Sequence, residues 1–163
     1  MTVAAGELVV EQATSAEIVT VYTHEEVYPF ISDDFSIPRE KFKPRPSNSI
    51  YLKATLDDEL AGIIQLDPQN GITVEAHFAF LPEFQNKNLK RHIALNSSLL
   101  AIRWVWNNTK FSKIIAMVSK NRKDVRRLAC KAGFEVEGSS KNSYMKNGKL
   151  YDQWLLGLEK GEI

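Results

Sequence analysis

Residues 71–91 read GITVEAHFAFLPEFQNKNLKR, and the fold turns on how this stretch divides. Up to Leu81 apolar, aromatic and β-branched residues dominate, as a largely buried strand requires. After Pro82 the chain becomes polar and basic, and from about Asn88 apolar residues return at helical spacing. A strand therefore ends near Leu81 and a long helix begins a few residues later. The first amides of a helix have no partner within it, so such a junction can hold an anion. Within the strand, Glu75 and His77 stand two apart and share one face, while Val74, Ala76, Phe78 and Phe80 share the other.

Upstream, ELVVEQ (7–12) has the pattern of a short strand. Thr14 and Glu17 have capping-box spacing, and Ile18, Val21 and Tyr22 follow at helical steps. A helix is expected over 15–27, stopping near Pro29. Residues 31–48 are polar and hold Pro38, Pro44 and Pro46, which predicts a long loop with one helical turn at Arg39–Phe42. SIYLKATL (49–56) and LAGIIQLDP (60–68), joined by Asp57-Asp58-Glu59, form a hairpin. With 71–81 they make an antiparallel meander.

Downstream, a helix is expected over 88–107 with Leu95, Leu99, Ile102 and Trp106 as its apolar stripe, widened by Ile93 and Leu100. KIIAMV (113–118) has the character of a buried strand. RKDVRRLACKAGF (122–134) carries a second amphipathic helix with Val125, Leu128, Ala129 and Ala132 inward and Gly133 at its C-terminal stop. Strands at 134–144 and 150–158 flank Lys146-Asn147-Gly148-Lys149, a hairpin turn. The order β-α-βββ-α-β-α-ββ gives a single α/β (α+β) domain with a mixed, mostly antiparallel sheet and helices on both faces. The crossover helix makes strand 113–118 parallel to strand 71–81.

The chain has 163 residues and is 44% apolar, enough to bury a core without disulfides or metal. A formal net charge of +1 supplies no field that would drive it onto nucleic acid or membrane. One cysteine, Cys130, excludes an internal disulfide and fits a reducing compartment; its flanks read as those of a small buried side chain. No run approaches the roughly 20 apolar residues of a membrane span, and MTVAAGELVVEQ lacks a signal-peptide pattern. His24, His77 and His92 are scattered, without metal-ligand spacing. A cytoplasmic protein is expected, or one made in a cytoplasm and packaged elsewhere.

This order, with RLACKAGFEVEG…NSYMKNGKLYDQWLLGLEK closing the chain, resembles the GNAT superfamily of N-acetyltransferases. "VEAHFAFLPE" and the last hairpin resemble small GNAT-like proteins of tailed bacteriophages and prophages. The resemblance implies an acetyl-CoA site where the strand ending at Leu81 meets the next helix. The superfamily's loop pattern Gln/Arg-x-x-Gly-x-Gly/Ala falls on Gln85-Asn86-Lys87-Asn88-Leu89-Lys90, so Asn88 and Lys90 replace glycines. Lys87, Lys90 and Arg91 could neutralise a diphosphate directly, or Asn88 and Lys90 could plug the cleft.

Glu75 or His77 would be the base for an amine acceptor, against a plain reading as the solvated end of a sheet. The superfamily's tyrosine acid falls on Ala129, which leaves Tyr144, with Tyr151, as substitutes on the last hairpin. The asparagine opening the second helix is displaced: Asn121 lies one residue too far from Gly133-Phe134, and Arg122 takes its spacing. Lys120, Arg122, Lys123, Arg126, Arg127 and Lys131 form a basic face. It could meet a CoA phosphate or an acidic partner, with nucleic acid the least favoured. Trp106 and Trp154 read as core or interface, and Trp104 lies off the stripe, where it could mark a partner surface.

Two functions follow from the resemblance: acyl-CoA-dependent N-acyltransfer, or a GNAT-fold protein without turnover that binds a virion or host protein. The last hairpin admits a homodimer.

Overall fold

A computed structural model describes residues 7–45, 47–84 and 87–161, with the backbone alone described for 87–92. Its elements are β1 (Leu8–Gln12), α1 (Ser15–Tyr22), α2 (Tyr28–Ile31), β2 (Ile50–Leu56), β3 (Glu59–Pro68), β4 (Thr73–Phe80), α3 (Lys87–Asn108), β5 (Lys113–Ser119), α4 (Lys123–Lys131), β6 (Glu135–Lys146) and β7 (Lys149–Glu159). The strands form one sheet in the order β1-β2-β3-β4-β5-β7-β6, antiparallel throughout except for the parallel β4–β5 pair. Element order and the parallel pair agree with expectation.

Local chemistry accounts for most boundaries. The Thr14 N–H donates to Glu17 Oε1 at 2.8 Å and the Glu17 N–H to Thr14 Oγ1 at 3.2 Å, so both residues satisfy amides that the first turn leaves open. Glu17 Oε2 then receives Lys53 Nζ at 2.8 Å, which fastens α1 to β2. The β2–β3 turn puts Asp57 (φ 51°) and Asp58 (φ 66°) in the left-handed region, as the twist of a two-residue hairpin demands. Asn147 (φ 53°) and Gly148 (φ 75°) do the same between β6 and β7. Gly133, at φ 112°, ends α4 where a side chain would be strained.

The first helix is shorter than expected. It ends at Tyr22 and a new helical turn begins at Tyr28. Pro29 explains the restart: lacking an N–H, it fits only the first turn of a helix, which it occupies in α2. The 31–48 loop holds a 3-10 turn at Arg39–Lys41, close to its expected place.

The core lies on both faces of the sheet. Leu52, Ala54, Ile64, Leu66 and Val74 are buried on one face, and Tyr51, Ala61, Ile63 and Ala79 on the other, against α1. In α3 the buried residues are Ile93, as expected, with Ala94, Ser97, Ala101 and Val105, whereas Leu99 is 43% exposed. The expected stripe is thus rotated: small residues let this helix seat closely, and the larger Leu95, Ile102, Trp104 and Trp106 flank the contact half-buried. Trp104 packs on the core. Cys130 is exposed, against the expectation of a buried thiol, because α4 turns Val125, Leu128 and Ala129 to the sheet instead.

Candidate active site at a forked sheet

The parallel ladder between β4 and β5 is short. It pairs Thr73 with Lys113, Val74 with Ile114 and Glu75 with Ile115. Beyond that rung β4 runs on to Phe80 and β5 to Ser119, each held by its outer neighbour, β3 or β7. Two strands that share three rungs and then diverge make a wedge that opens toward the start of α3. Gly62 lets β4 take this course, since a Cβ there would lie 2.5 Å from Ala79 O and 2.5 Å from Phe80 Cδ1. Ser119, near the open end on β5, keeps its Oγ buried without a hydrogen-bond partner.

Glu75 sits on the last shared rung, where the two strands part, and His77 lies two residues beyond it, both on the face covered by α1. The hairpin register places His77 opposite Gln65 and Glu75 opposite Asp67. His77 Nε2 is 3.3 Å from Asp67 Oδ2 and 3.7 Å from Glu75 Oε2. Asp67 Oδ1 accepts from Ser49 Oγ at 2.5 Å and from Gln65 Nε2 at 2.9 Å, and Tyr22 OH donates to Gln65 Oε1 at 2.8 Å. Burial raises the Asp67 carboxyl, but hydrogen bonds from His77, Ser49 and Gln65 outweigh it and hold the group down at about 2. Burial pulls the His77 imidazolium down, and the hydrogen bond to Asp67 with the charges of Glu75 and Asp67 reverses this, so its pKa lies above the ordinary value. Burial also pushes the Tyr22 phenol up, which keeps it a hydrogen donor.

The remaining expected site residues divide. Tyr144 lies on the α1 side of the sheet and its OH donates to Ser32 O at 3.2 Å. Lys146 Nζ donates to the carbonyls of Pro29 and Ser32, and both Asp34 carboxylate oxygens accept turn amides, from Asn147 and Gly148, at 2.7 Å. The long loop is thereby clamped to the β6–β7 hairpin. Leu81 is buried, its N–H donates to Ala61 O and its carbonyl accepts from the Phe84 N–H.

Arg122 is the residue preceding α4, as its spacing suggests, but its guanidinium bonds Asp124 at 3.0 and 3.1 Å and makes no cap. Asn121 is exposed in the turn before it. Gln85 lies outside the described residues. For Lys87, Asn88, Lys90 and Arg91 the helical backbone is described but no side chain, so α3 begins within the loop motif. On the basic face, Lys120 Nζ and Arg126 Cζ stand 5.8 and 4.9 Å from the Trp154 ring.

Sequence reading missed Asp67, Gln65, Ser49 and Tyr22. The first two were within reach: pairing Gln65 with His77 across the Pro68–Ile72 turn puts Asp67 beside Glu75.

No family model and no curated protein matches the chain. Solved structures do. An acetyltransferase of the GNAT family from Streptococcus pneumoniae is 18% identical, covers 95% of this chain and 100% of its own, and superposes with a TM-score of 0.71. Spermidine N-acetyltransferase from Vibrio cholerae, solved in complex with CoA and spermine, is 14% identical over 94% of this chain and 95% of its own, with a TM-score of 0.75. Ribosomal-protein-S5-alanine acetyltransferase from Vibrio fischeri is 15% identical over 95% and 94%, with a TM-score of 0.74.

The chain has the GNAT fold. The chain departs from the pattern that the resemblance implied at Ala129, which carries no hydroxyl, and at Arg122, whose side chain makes no cap. No helix among the described residues is long and apolar enough to cross a membrane.

Proposed function

We propose that the protein is an acyl-CoA-dependent N-acetyltransferase acting on an amine. The observation that carries this reading is the fork. A cleft bounded by two strands and opening onto a helix N-terminus fits an extended amide-bearing arm that ends in a diphosphate. The orphaned Ser119 hydroxyl is a further polar group for such an arm, since a buried hydroxyl without a partner costs about 1–3 kcal/mol. Lys87, Asn88, Lys90 and Arg91 in the first turn of α3, with Gln85, would meet the diphosphate, and the basic residues would replace by charge what the missing glycines would have given through backbone amides.

On the acceptor side, the two carboxylates around His77 favour a cationic amine. His77 or Glu75 takes the proton that frees the nitrogen lone pair. The nitrogen attacks the thioester carbonyl carbon, the C–N bond forms as the C–S bond breaks, and the nitrogen's remaining surplus proton ends on the departing thiol. Tyr144 is the hydroxyl nearest in role to the missing tyrosine. Titration with acetyl-CoA, by calorimetry and by thermal shift, tests the reading. Saturable binding that raises the melting temperature is expected, and no heat and no shift at millimolar ligand would overturn it.

Ala129 and Arg122 favour a second reading, a GNAT-fold protein without turnover. Phe30, Phe35 and Ile37 are 64%, 79% and 54% exposed on the α2 segment and its loop, an apolar surface for a virion or host protein or a second copy of the chain. Such a protein would act in a host cytoplasm or in a virion. Acetyl transfer lost in His77→Gln or Glu75→Gln excludes it.

A further inference from the structure

We infer that Asp67 is a positioning residue that holds His77 as the Nε2–H tautomer, leaving Nδ1 as the nitrogen that accepts a proton. Only the second half of this statement rests on the acyl-transfer reading; the tautomer is a property of the free protein.

The geometry is directional. Nε2 has two carboxylate oxygens before it, at 3.3 and 3.7 Å. A lone pair aimed at two anions is repelled, whereas an N–H is attracted, so the neutral ring keeps its hydrogen on Nε2. Asp67 is fixed in turn. Ser49, itself buried, donates to Oδ1 at 2.5 Å, and Gln65 Nε2 lies 2.9 and 3.1 Å from the two oxygens. The Gln65 amide cannot be reversed without loss, because its Oε1 accepts from Tyr22 OH at 2.8 Å.

Tyr22 is 5% exposed and packs edge-on against Phe42 and Tyr51, with centroids 5.0 and 6.3 Å apart. A hydrogen-bonded chain thus runs from Tyr22, in the core under α1, through Gln65 to Asp67, whose carboxylate accepts from Gln65 on one side and from His77 on the other. Few other charges face the imidazole. On β5 the same face carries Ile115, Met117 and Ser119, with Lys113 further down paired to Glu137 and Glu159. On α1, Glu17 is taken by Lys53. Asp67 and Glu75 therefore decide the state of the ring.

Side-chain 15N spectra of the full chain, with His77 assigned through His77→Gln, read the tautomer and the titration directly. The wild type is expected to show the Nε2–H form and a pKa above that of free histidine. In Asp67→Asn the pKa falls and the Nδ1–H form grows; Ser49→Ala, which keeps the charge, moves both less and in the same direction. An Nδ1–H wild type overturns the inference. So does an Asp67→Asn protein with wild-type circular dichroism and an unchanged His77 titration.

With acetyl-CoA and a lysine-containing peptide as probes, Asp67→Asn should lower kcat at least tenfold, part of the roughly 10²–10⁴-fold that a general base supplies. It should leave KM for acetyl-CoA near its original value and move the acid limb of the rate profile to lower pH. A kcat within twofold of wild type refutes the positioning role. A wild type without transferase activity defeats the proposed function, while the spectra still decide the tautomer.

Discussion

Asp67→Asn should make stability less dependent on pH, and the size of the effect follows from the carboxyl's surroundings. Its pKa falls from 3.8 to about 2, a difference of about 1.8 units. At about 1.36 kcal/mol per unit that corresponds to about 2.4 kcal/mol. Asp67 is only partly buried, and solvent screening reduces this by roughly half, to about 1–1.5 kcal/mol.

A carboxyl whose pKa is lower folded than unfolded stabilises fully above its unfolded value, and the stabilisation disappears as pH falls through about 2. His77 runs the other way. Its raised pKa stabilises below the ordinary histidine value and is lost as pH rises through the folded one. The two statements describe one ion pair from its two ends and are not added. The difference between wild type and Asp67→Asn should therefore be largest between about pH 4.5 and 6, narrow toward pH 2, and narrow again in mildly alkaline solution. Urea unfolding at pH 2.5, 5.5 and 8.5 measures it; a difference of about 1 kcal/mol at pH 5.5 corresponds to about 2–4 °C in melting temperature for a domain of this size. Equal stability at pH 5.5, or a difference that stays constant to pH 2.5, would refute the account of the cluster.

Three further substitutions probe the frame around the site. Gly62→Ala forces a methyl against Ala79 O and the Phe80 ring and should cost about 1–3 kcal/mol in urea unfolding; acetyl-CoA binding should weaken with it because Phe80 ends the strand that borders the cleft. Ser97→Ala removes a buried hydroxyl that has no partner and should leave stability equal or raise it by up to about 1 kcal/mol; a loss beyond that would mean the hydroxyl is bonded. Asp34→Ala deletes the acceptor of two turn amides and should free the 31–48 loop, read as faster limited proteolysis there with little change in melting temperature.

The element order was legible because its signals are local. Asn147-Gly148 sets a hairpin, Thr14 and Glu17 open a helix, and Gly133 closes one. What escaped depends on partners far apart in the chain. Pro29 marks a stop, but whether it ends one helix or starts the next depends on where Val27 buries. Residues 93–106 carry apolar side chains nearly all round, so periodicity could not choose between Leu99 and the small line of Ala94, Ser97 and Ala101. That choice belongs to how closely the helix seats on the sheet. At the site, Glu75 and His77 were legible from alternation within one strand. Asp67 reaches the same spot from β3 and Ser49 from the residue before β2, through a register that the turn length encodes less openly. The cleft itself was expected only through resemblance, because no residue pattern states that two parallel strands will separate after three rungs.

The brevity of the β4–β5 ladder has a consequence for motion. It divides the sheet into two leaves, β1–β4 and β5–β7, sewn together by a seam at one end and bridged elsewhere by α3. Such leaves should breathe about that seam more freely than either does internally. Amide exchange along the outer half of β5 should then outpace exchange at Ile114 and Ile115, and a rod laid between the leaves should slow it by stitching them along their length.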